Sequence, residues 1–355
     1  MTTGAAAARR GAGARPRMAD VARRAGVGTI TVSRALRTPE RVSPEVREKV
    51  RAAIEATGYV PNLAAGTLKS QRSRMVAAIV PTLRNTIFAE TAEGLAEGLR
   101  AHGLQLLLAS SGYSLESEEA ILRNLLGQQP VAVVLTGTRH SPRVRALLAE
   151  RHLPVVETWD LSTDPIDRVV GFSNFEAARR MTHALAARGY RRIAFAGPPP
   201  ETERRAAQRL EGYRHAMAEL GREPDVAWLD ELGVTFDSGG RATAALLARP
   251  LPPDAVFFVN DVPAFGAAQA CQRLGVSVPR QLAIAGFGDF EIARAANPPL
   301  TTVRIPGERI GRVAASLIVE RLSADAGTAD LKAVSGSQEA RVVDLGFEVV
   351  IRESA

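Results

Sequence analysis

The sequence predicts an α/β chain in two parts. An N-terminal three-helix unit carries a helix-turn-helix, and a larger core holds doubly wound parallel sheets in two lobes. Three observations predict this. Two short apolar-periodic segments, Met18–Ala25 and Thr29–Leu36, flank Gly26-Val27-Gly28, a turn that fits only a sharp reversal between helices. From Met75 onward, β-branched or Leu-rich runs alternate with amphipathic stretches of helical period, as in βαβ units around a sheet covered on both faces. The charge is also split. Residues 1–74 hold 15 Lys+Arg against 5 Asp+Glu, while the whole chain holds 45 against 38, leaving 30 against 33 in residues 75–355.

The N-terminal unit is read first. Residues 1–16, rich in Ala, Gly and Arg, form a disordered basic tail that adds only weak phosphate attraction. Residues 17–60 form the helix-turn-helix unit. Its second helix presents Thr29, Thr31, Ser33 and Arg34 on a polar face, chemistry suited to phosphates and base edges. A third helix starts at the N-cap Ser43, with Pro44 at the first helical position and Glu45 facing the positive helix end. Val46, Val50 and Ile54 recur at helical spacing and pack on the first two helices, and Gly58 ends the helix. A basic excess confined to this first fifth, beside a helix-turn-helix, is the electrostatic footprint of nucleic-acid binding. Residues 61–74 link this unit to the core and end in the basic connector Gln71–Arg74.

In the core, residues 75–355, strands are expected at Met75–Val80, Leu104–Ala109, Val131–Leu135, Pro154–Glu157 and Val169–Gly171. A second set is expected at Arg192–Ala196, Val226–Leu229, Ala255–Val259 and Leu282–Ala285. Helices lie between them, and the length suits two doubly wound lobes. Ala324–Ala340 is Gly/Ala/Ser-rich and reads as a surface insert. Val342–Ile351 reads as a single late strand.

Composition narrows the function classes. Aromatics make up only 5% of the 355 residues, so the cores are built from Ala, Val, Leu and Ile. The single cysteine, Cys271, excludes an intrachain disulfide and sits in a helical apolar stripe, as an inert core thiol does. No apolar run approaches membrane-spanning length, and no continuous apolar stretch follows the first arginines, so a cytoplasmic chain without membrane contact is expected. His102, His140, His152, His183 and His215 are scattered without metal-ligand spacing, and there is no G-x-S-x-G elbow. No Gly-x-Gly-x-x-Gly follows the first strand, and no Walker lysine motif is present. No cofactor, no metal and no catalysis are expected.

The residues also carry a resemblance. M-A-D-V-A-R-R-A-G-V, T-V-S-R-A-L, V-S-P-E-V-R-E-K-V and G-Y-V-P-N resemble the DNA-binding headpiece of the LacI/GalR family of repressors. The later stretches R-R-I-A-F-A-G, V-F-F-V-N-D, I-A-G-F-G-D and P-P-L-T-T-V are similar to the same family. The match covers about residues 17–323 and resumes at Asp344–Phe347. Within the family, Val169–Thr182 and Thr136–Arg143 look most like gluconate-utilisation repressors.

The resemblance implies a headpiece, a hinge helix within 61–74, and a core like periplasmic sugar-binding proteins with a small effector between two lobes. Lobe one is expected at about 75–172 and 302–323, lobe two at about 173–301 and 341–353, with 324–340 as the insert. It implies base readout by Thr29, Ile30 and Arg34. Arg34 suits guanine best, although a phosphate clamp is the competing role. Thr31 and Ser33 suit phosphates, with Arg41 and Asn62 adding contacts. It places Leu68 as a wedge between base pairs in the minor groove, with Lys69 beside it. Gly66 makes that hinge reluctant to fold without DNA.

Ligands of such folds bind at strand C-terminal ends. There the sequence places Asn85, Phe88, Thr136, Arg139, Glu157, Asn174, Arg209, Asn260 and Asp261. Asp261 has helix capping as its alternative role, and Arg209 and Arg139 have solvent exposure. Gly288 follows Phe287 without a carboxylate, and Arg304 stands where an amide is common, so an anionic effector is favoured over a neutral sugar. The expected partners are pseudo-palindromic double-stranded operator DNA, a second copy of the chain, and a sugar-acid effector such as gluconate or a phosphorylated sugar acid. A solute-binding receptor on the same fold is the alternative, and it leaves the headpiece unexplained.

Overall fold

The computed structural model describes residues 16–60, 73–83, 86–231, 233–327 and 341–355. The expected tail, the hinge residues Asn62, Gly66, Leu68 and Lys69, the cleft residue Asn85 and most of the insert lie outside the described residues. The chain divides into two compact units, Met1–Gln71 and Arg72–Ala355.

In the first unit, α1 (Met18–Ala25), α2 (Thr29–Arg37) and α3 (Pro44–Thr57) surround a small apolar core. Gly26 ends α1 at φ +67°, a left-handed conformation that costs glycine nothing sterically. Asp20 accepts the Arg17 backbone N–H at 2.9 Å and satisfies one free donor at the start of α1. Ser43 accepts the Val46 N–H and caps α3. Val21, Ala22, Val32, Val50, Ala53 and Tyr59 close the core.

The second unit begins with β1 (Met75–Val80), α4 (Thr86–Arg100), β2 (Gln105–Ser110), α5 (Leu115–Leu126), β3 (Ala132–Thr136), α6 (Pro142–Ala149), β4 (Val155–Thr158) and β5 (Arg168–Gly171). It continues through α7 (Asn174–Ala187), β6 (Ile193–Gly197), α8 (Arg204–Glu219), β7 (Asp225–Trp228), α9 (Phe236–Leu247), β8 (Ala255–Phe258), α10 (Asp261–Leu274), β9 (Ala283–Ala285) and α11 (Glu291–Ala295). It closes with β10 (Thr302–Arg304), α12 (Gly307–Gly327), β11 (Arg341–Asp344) and β12 (Glu348–Val350).

Two parallel sheets define two lobes. The first has order β11-β5-β4-β3-β1-β2 and the second β7-β6-β8-β9. Fully buried β-strands such as Val76–Val80 and Ala255–Phe258 carry continuous apolar runs because helices cover both sheet faces. Gly212 lets α8 approach α7 closely, since a Cβ there would collide with the Phe175 carbonyl. That approach fixes one face of α8 relative to Asn174.

The C-terminal segment corrects the expectation of one strand in lobe two. β11 extends the first sheet, parallel to β5, with Val342 opposite Val169. Gly346, at φ +67°, bends the chain, and β12 pairs antiparallel with β10. Only then does the chain reach the second sheet, where the Ser354 hydroxyl donates to the Ile284 carbonyl at 2.6 Å. The open edge of β5 takes the first strand, and the left-handed glycine breaks the run. The expected insert also starts late, because α12 continues through Gly327.

Candidate functional site

Two regions carry site chemistry. In the first unit, Val32 is fully buried, so the helical period turns Thr29, Ile30 and Arg34 outward on α2. Ile30 is 68% exposed. Thr31 and Ser33 are half-buried at the flank of that face, and Arg41 is exposed at the end of the 3-10 turn Pro39–Arg41. The helix thus presents one forked cation, one apolar side chain and three hydroxyls, the set needed for base edges, a thymine methyl and phosphates.

In the second unit the strand ends of both lobes face a cavity of about 260 Å³. Lobe one contributes Thr136, Thr138, Arg139 and Asp160, and lobe two contributes Glu203 and Arg205 from the start of α8. An aromatic series runs between the lobes. Phe88, Trp159, Phe172 and Phe287 follow one another with ring centroids 5.3, 5.9 and 6.1 Å apart. Trp159 adopts φ +71°, a costly conformation for a bulky side chain. Its Nε1–H donates to Thr91 Oγ1 at 3.1 Å and its backbone N–H to the Val170 carbonyl. Backbone strain held by its surroundings in this way clusters at ligand sites.

Two arginines lie over this aromatic series. The Arg205 guanidinium sits 5.4 Å from the Phe88 ring centre and that of Arg209 4.6 Å from the Phe287 ring centre. Both are buried, at 6% and 7% exposure. Arg209 Nη1 donates to Asn174 Oδ1 at 2.7 Å, and Asn174 Nδ2 donates to the Trp159 carbonyl. Arg205 Nε donates to Glu203 Oε1 at 2.7 Å, and Arg209 Nη2 lies 3.8 Å from Glu203 Oε2. Burial pushes the Arg209 pKa down to about 10, although Glu203 opposes the shift. Burial works to raise Glu203, but the charges of Arg205 and Arg209 outweigh it and hold its carboxyl below the usual range. Arg205 Nη1 and Arg209 Nε are buried and have no hydrogen-bond partner.

Across the cleft, Asp160 of lobe one meets α8. It accepts from Thr138 at 2.9 Å and from Gln208 Nε2 at 3.1 Å, and Arg204 Nε lies 3.6 Å away. These contacts hold the two lobes together across the cavity mouth.

The expected effector residues separate into two groups. Thr136 and Arg139 line the cavity, while Phe88, Asn174 and Arg209 belong to the buried cluster of aromatic rings and arginines. Thr136 also donates to the Ile79 carbonyl, and Arg139 is exposed at the rim. Glu157 does not reach the cleft. Along β4 it shares the face of Val155, which packs toward α5 and α6. There it accepts the Ile166 N–H at 2.6 Å and lies 3.3 Å from His140 Nε2. His140 Nδ1 lies 2.7 Å from Glu118 Oε1. Burial disfavours the imidazolium, but Glu118 and Glu157 outweigh it and raise the His140 pKa to about 9.

Asn260 caps α10 by accepting the Val262 N–H. Asp261, expected to face a ligand or to cap, does neither. Its carboxylate accepts the Phe290 N–H at 2.8 Å and the Thr302 hydroxyl at 2.6 Å. Burial pushes its pKa up to about 7. Arg304, read as favouring an anion, is engaged by Asp289 at 2.7 Å and Glu348 at 2.8 Å. Sequence reasoning missed Arg205, Gln208, Glu203, Asp160 and Trp159. A signal was available for two of them, because Arg205 stands four residues before Arg209 and shares its helix face, and Gln208 stands three residues after Arg205.

Among the described residues no group of His, Cys, Asp and Glu is arranged to hold a metal, and no helix is long and apolar enough to cross a membrane. Cys271 is buried, and burial pushes its thiol up to about 11.

A helix-turn-helix unit followed by a two-lobe, parallel-sheet core with a polar cleft defines a DNA-binding regulator carrying a periplasmic-binding-protein-like domain. Residues 17–62 match the family described as bacterial regulatory proteins, lacI family, and residues 182–355 match the periplasmic binding protein-like domain. Over 333 residues the chain is 37% identical to the HTH-type transcriptional regulator GntR of Escherichia coli (strain K12), covering 94% of this chain and 96% of that protein. It is 38% identical over 343 residues to the regulator of the same name from Pseudomonas aeruginosa, covering 96% of each. Among solved structures, a LacI family regulator from Silicibacter pomeroyi superposes with a TM-score of 0.85 at 33% identity, covering 96% of this chain and 99% of that one. GntR from Chromobacterium violaceum gives 0.69 at 34% identity over 79% of this chain and 98% of that one. The chain belongs to the LacI family and is a DNA-binding transcriptional regulator resembling GntR.

Proposed function

We propose that this chain is a repressor whose operator affinity is set by a sugar acid of the gluconate type, free or phosphorylated, bound between the two core lobes. The observation that carries this reading is the buried pair Arg205 and Arg209 at the lobe interface, each with an unpartnered N–H. A buried cation without full pairing is costly, and a carboxylate or phosphate accepting from an arginine gains charge-assisted hydrogen bonds. The likeness to regulators named GntR supports the same ligand class.

Thr29, Ile30 and Arg34 read base edges in the major groove, while Thr31, Ser33 and Arg41 position the helix on phosphates. Asn62, Leu68 and Lys69 extend the contact into the hinge. Two copies read a pseudo-palindromic operator, because a two-fold dimer matches two half-sites separated by whole helical turns. The effector favours one lobe arrangement, and linkage requires that DNA and effector affect each other's affinity equally.

A gel-shift titration of operator DNA with and without gluconate, 6-phosphogluconate and glucose tests the reading. A shift in operator affinity by either acid and none by glucose is expected. A response to glucose alone would reject the sugar-acid effector.

A further inference from the structure

Gly288 and Arg304, both singled out in the sequence, meet in the structure at the joint between the two lobes. β10 carries the chain from lobe two to α12, which packs on α4 of lobe one. β12 carries it back from β11 of lobe one to the Ser354 contact in lobe two. The two strands pair antiparallel, with Arg304 opposite Glu348, and form a ribbon between the lobes. On its other side β10 is bonded to the turn after β9. The Gly286 N–H donates to the Thr301 carbonyl at 2.8 Å and the Gly288 N–H to the Val303 carbonyl at 2.7 Å. Gly288 stands at φ +125°, where a side chain would be strained and would meet the Phe290 ring. That turn delivers Asp289, itself at φ +54°, to the ribbon.

Asp289 is a lobe-two residue whose side chain is only 3% exposed, and it accepts from both crossing segments. One oxygen takes Arg352 Nη2 at 2.6 Å. Arg352 has already returned to lobe two, where its Nη1 donates to the Leu300 carbonyl at 2.8 Å. The other oxygen takes Arg304 Nε at 2.7 Å, and Arg304 is the last residue of β10 before lobe one. The Arg352 contact lies within lobe two and survives a turn of one lobe against the other. The Arg304 contact ties lobe two to the lobe-one end of the ribbon and depends on the angle there. We infer that Arg304 and Asp289 are a positioning pair that favours the lobe arrangement of this structure and sets how readily the chain leaves it. This rests on the reading above that the lobes exchange between arrangements. A charge-assisted hydrogen bond to a buried carboxylate is a strong one, but the Arg304 side chain is 46% exposed and water replaces part of the contact when it breaks. Such a half-exposed pair changes the ratio of two arrangements about fivefold.

Distances between spin labels on the two lobes test this in the full chain. Ala146→Cys on α6 and Glu211→Cys on α8 put exposed labels on lobe one and lobe two, and the native Cys271 is buried. Diluting labelled chain into unlabelled chain restricts the reading to distances within one copy. In Arg304→Gln without ligand, the population of a second lobe distance should grow about fivefold over the unaltered chain. Asp289→Asn weakens the same pair from the other side and should act in the same direction, which keeps the test decisive if one variant folds poorly. Arg304→Lys keeps a charge for Asp289 and should restore the original distribution. Glu348→Gln leaves the Asp289 contact in place and should change nothing. Unchanged distances in Arg304→Gln and Asp289→Asn overturn the inference. An equal change in Glu348→Gln overturns it too, because the ribbon's own pairing would then set the angle. Gluconate added to the unaltered chain separates the two readings. Distances that move in Arg304→Gln but not with gluconate remove the sugar-acid effector and leave the positioning pair. The converse removes the pair and leaves the effector.

Discussion

In the headpiece an isoleucine, Ile30, stands 68% exposed on α2; in the core two arginines, Arg205 and Arg209, are 6% and 7% exposed. Ordinary burial places these residue types the other way round. The small headpiece core is already complete with Val32 facing inward, so nothing in that unit needs Ile30. The core likewise has ample apolar clusters without the guanidinium groups, which it holds over aromatic rings and one glutamate. The half-paired buried cations cost the core stability, the exposed Ile30 adds none to the headpiece, and each suits a partner of the matching kind. An apolar group facing water suits a thymine methyl, and a half-paired buried cation suits an anion.

The core side of this comparison breaks most sharply at Arg209. Arg209→Ala removes one charged ligand donor, leaves Asn174 Oδ1 without its donor and leaves Glu203 with Arg205 alone. Truncating one member of a buried, hydrogen-bonded charge pair costs about 2–5 kcal/mol. Affinity for gluconate should fall at least about thirtyfold, and the operator response to the acid should vanish while basal operator binding persists. Calorimetry and gel shift on the same variant read both. Unchanged acid binding would mean that the buried charge serves folding alone.

Buried charge that does serve folding is present nearby, at His140. Its folded pKa is raised to about 9 from an ordinary value of about 6.5 by Glu118 and Glu157. The stability it contributes is therefore fully present below about pH 6.5 and is lost as the pH climbs through about 9. The amount is up to about 3 kcal/mol. Melting temperatures at pH 6, 7.5 and 9.5 should fall across the upper interval, and His140→Gln should flatten that fall. An equal decline in His140→Gln would place the titration elsewhere.

The sequence made the headpiece legible almost to the residue, because its signals are local. Ser43 and Pro44 start α3, Gly26 and Gly58 end helices, and Val32 shares its period with the core of its own helix bundle. The core strands were legible to within a residue or so for the same reason, as with Leu104–Ala109 against the observed Gln105–Ser110. What escaped was non-local. Whether Glu157 faces the cleft or His140 depends on which side of β4 the helices cover, and its own strand is buried on both. The split of the last strand depends on the open edge of β5, far away in sequence. Arg205 and Gln208 sit in a run of polar residues, R-R-A-A-Q-R, that reads as a solvated helix until α7 fixes which face turns inward.

On the headpiece side, Arg34 and Thr31 separate readout from positioning. Arg34→Ala should cost about 1–3 kcal/mol on operator and little on random DNA, as loss of a bidentate guanine contact does. Thr31→Ala should weaken both by similar, smaller amounts. Equal losses on both DNAs for Arg34→Ala would reassign it to the phosphate backbone.

The smallest expected effect tests the comparison most directly, because it asks one residue to behave oppositely in two measurements. Ile30→Ser replaces a side chain that is already mostly in water, so folding loses almost no buried apolar area. The melting temperature should hold steady, since surface substitutions of this kind stay within about 0.5 kcal/mol. On operator DNA the same change removes the only large apolar group on the outward face of α2 before Leu36, and burial of one or two methyl-sized groups against a thymine is worth about 1 kcal/mol. Operator affinity should therefore drop about fivefold. Operators carrying uracil at the contacted thymine, which lack the methyl, should lose that much with the unaltered chain and no more with Ile30→Ser. If the serine variant melts several degrees lower and binds operator as before, Ile30 belongs to the headpiece core, and the inward cations of the other unit have no counterpart here.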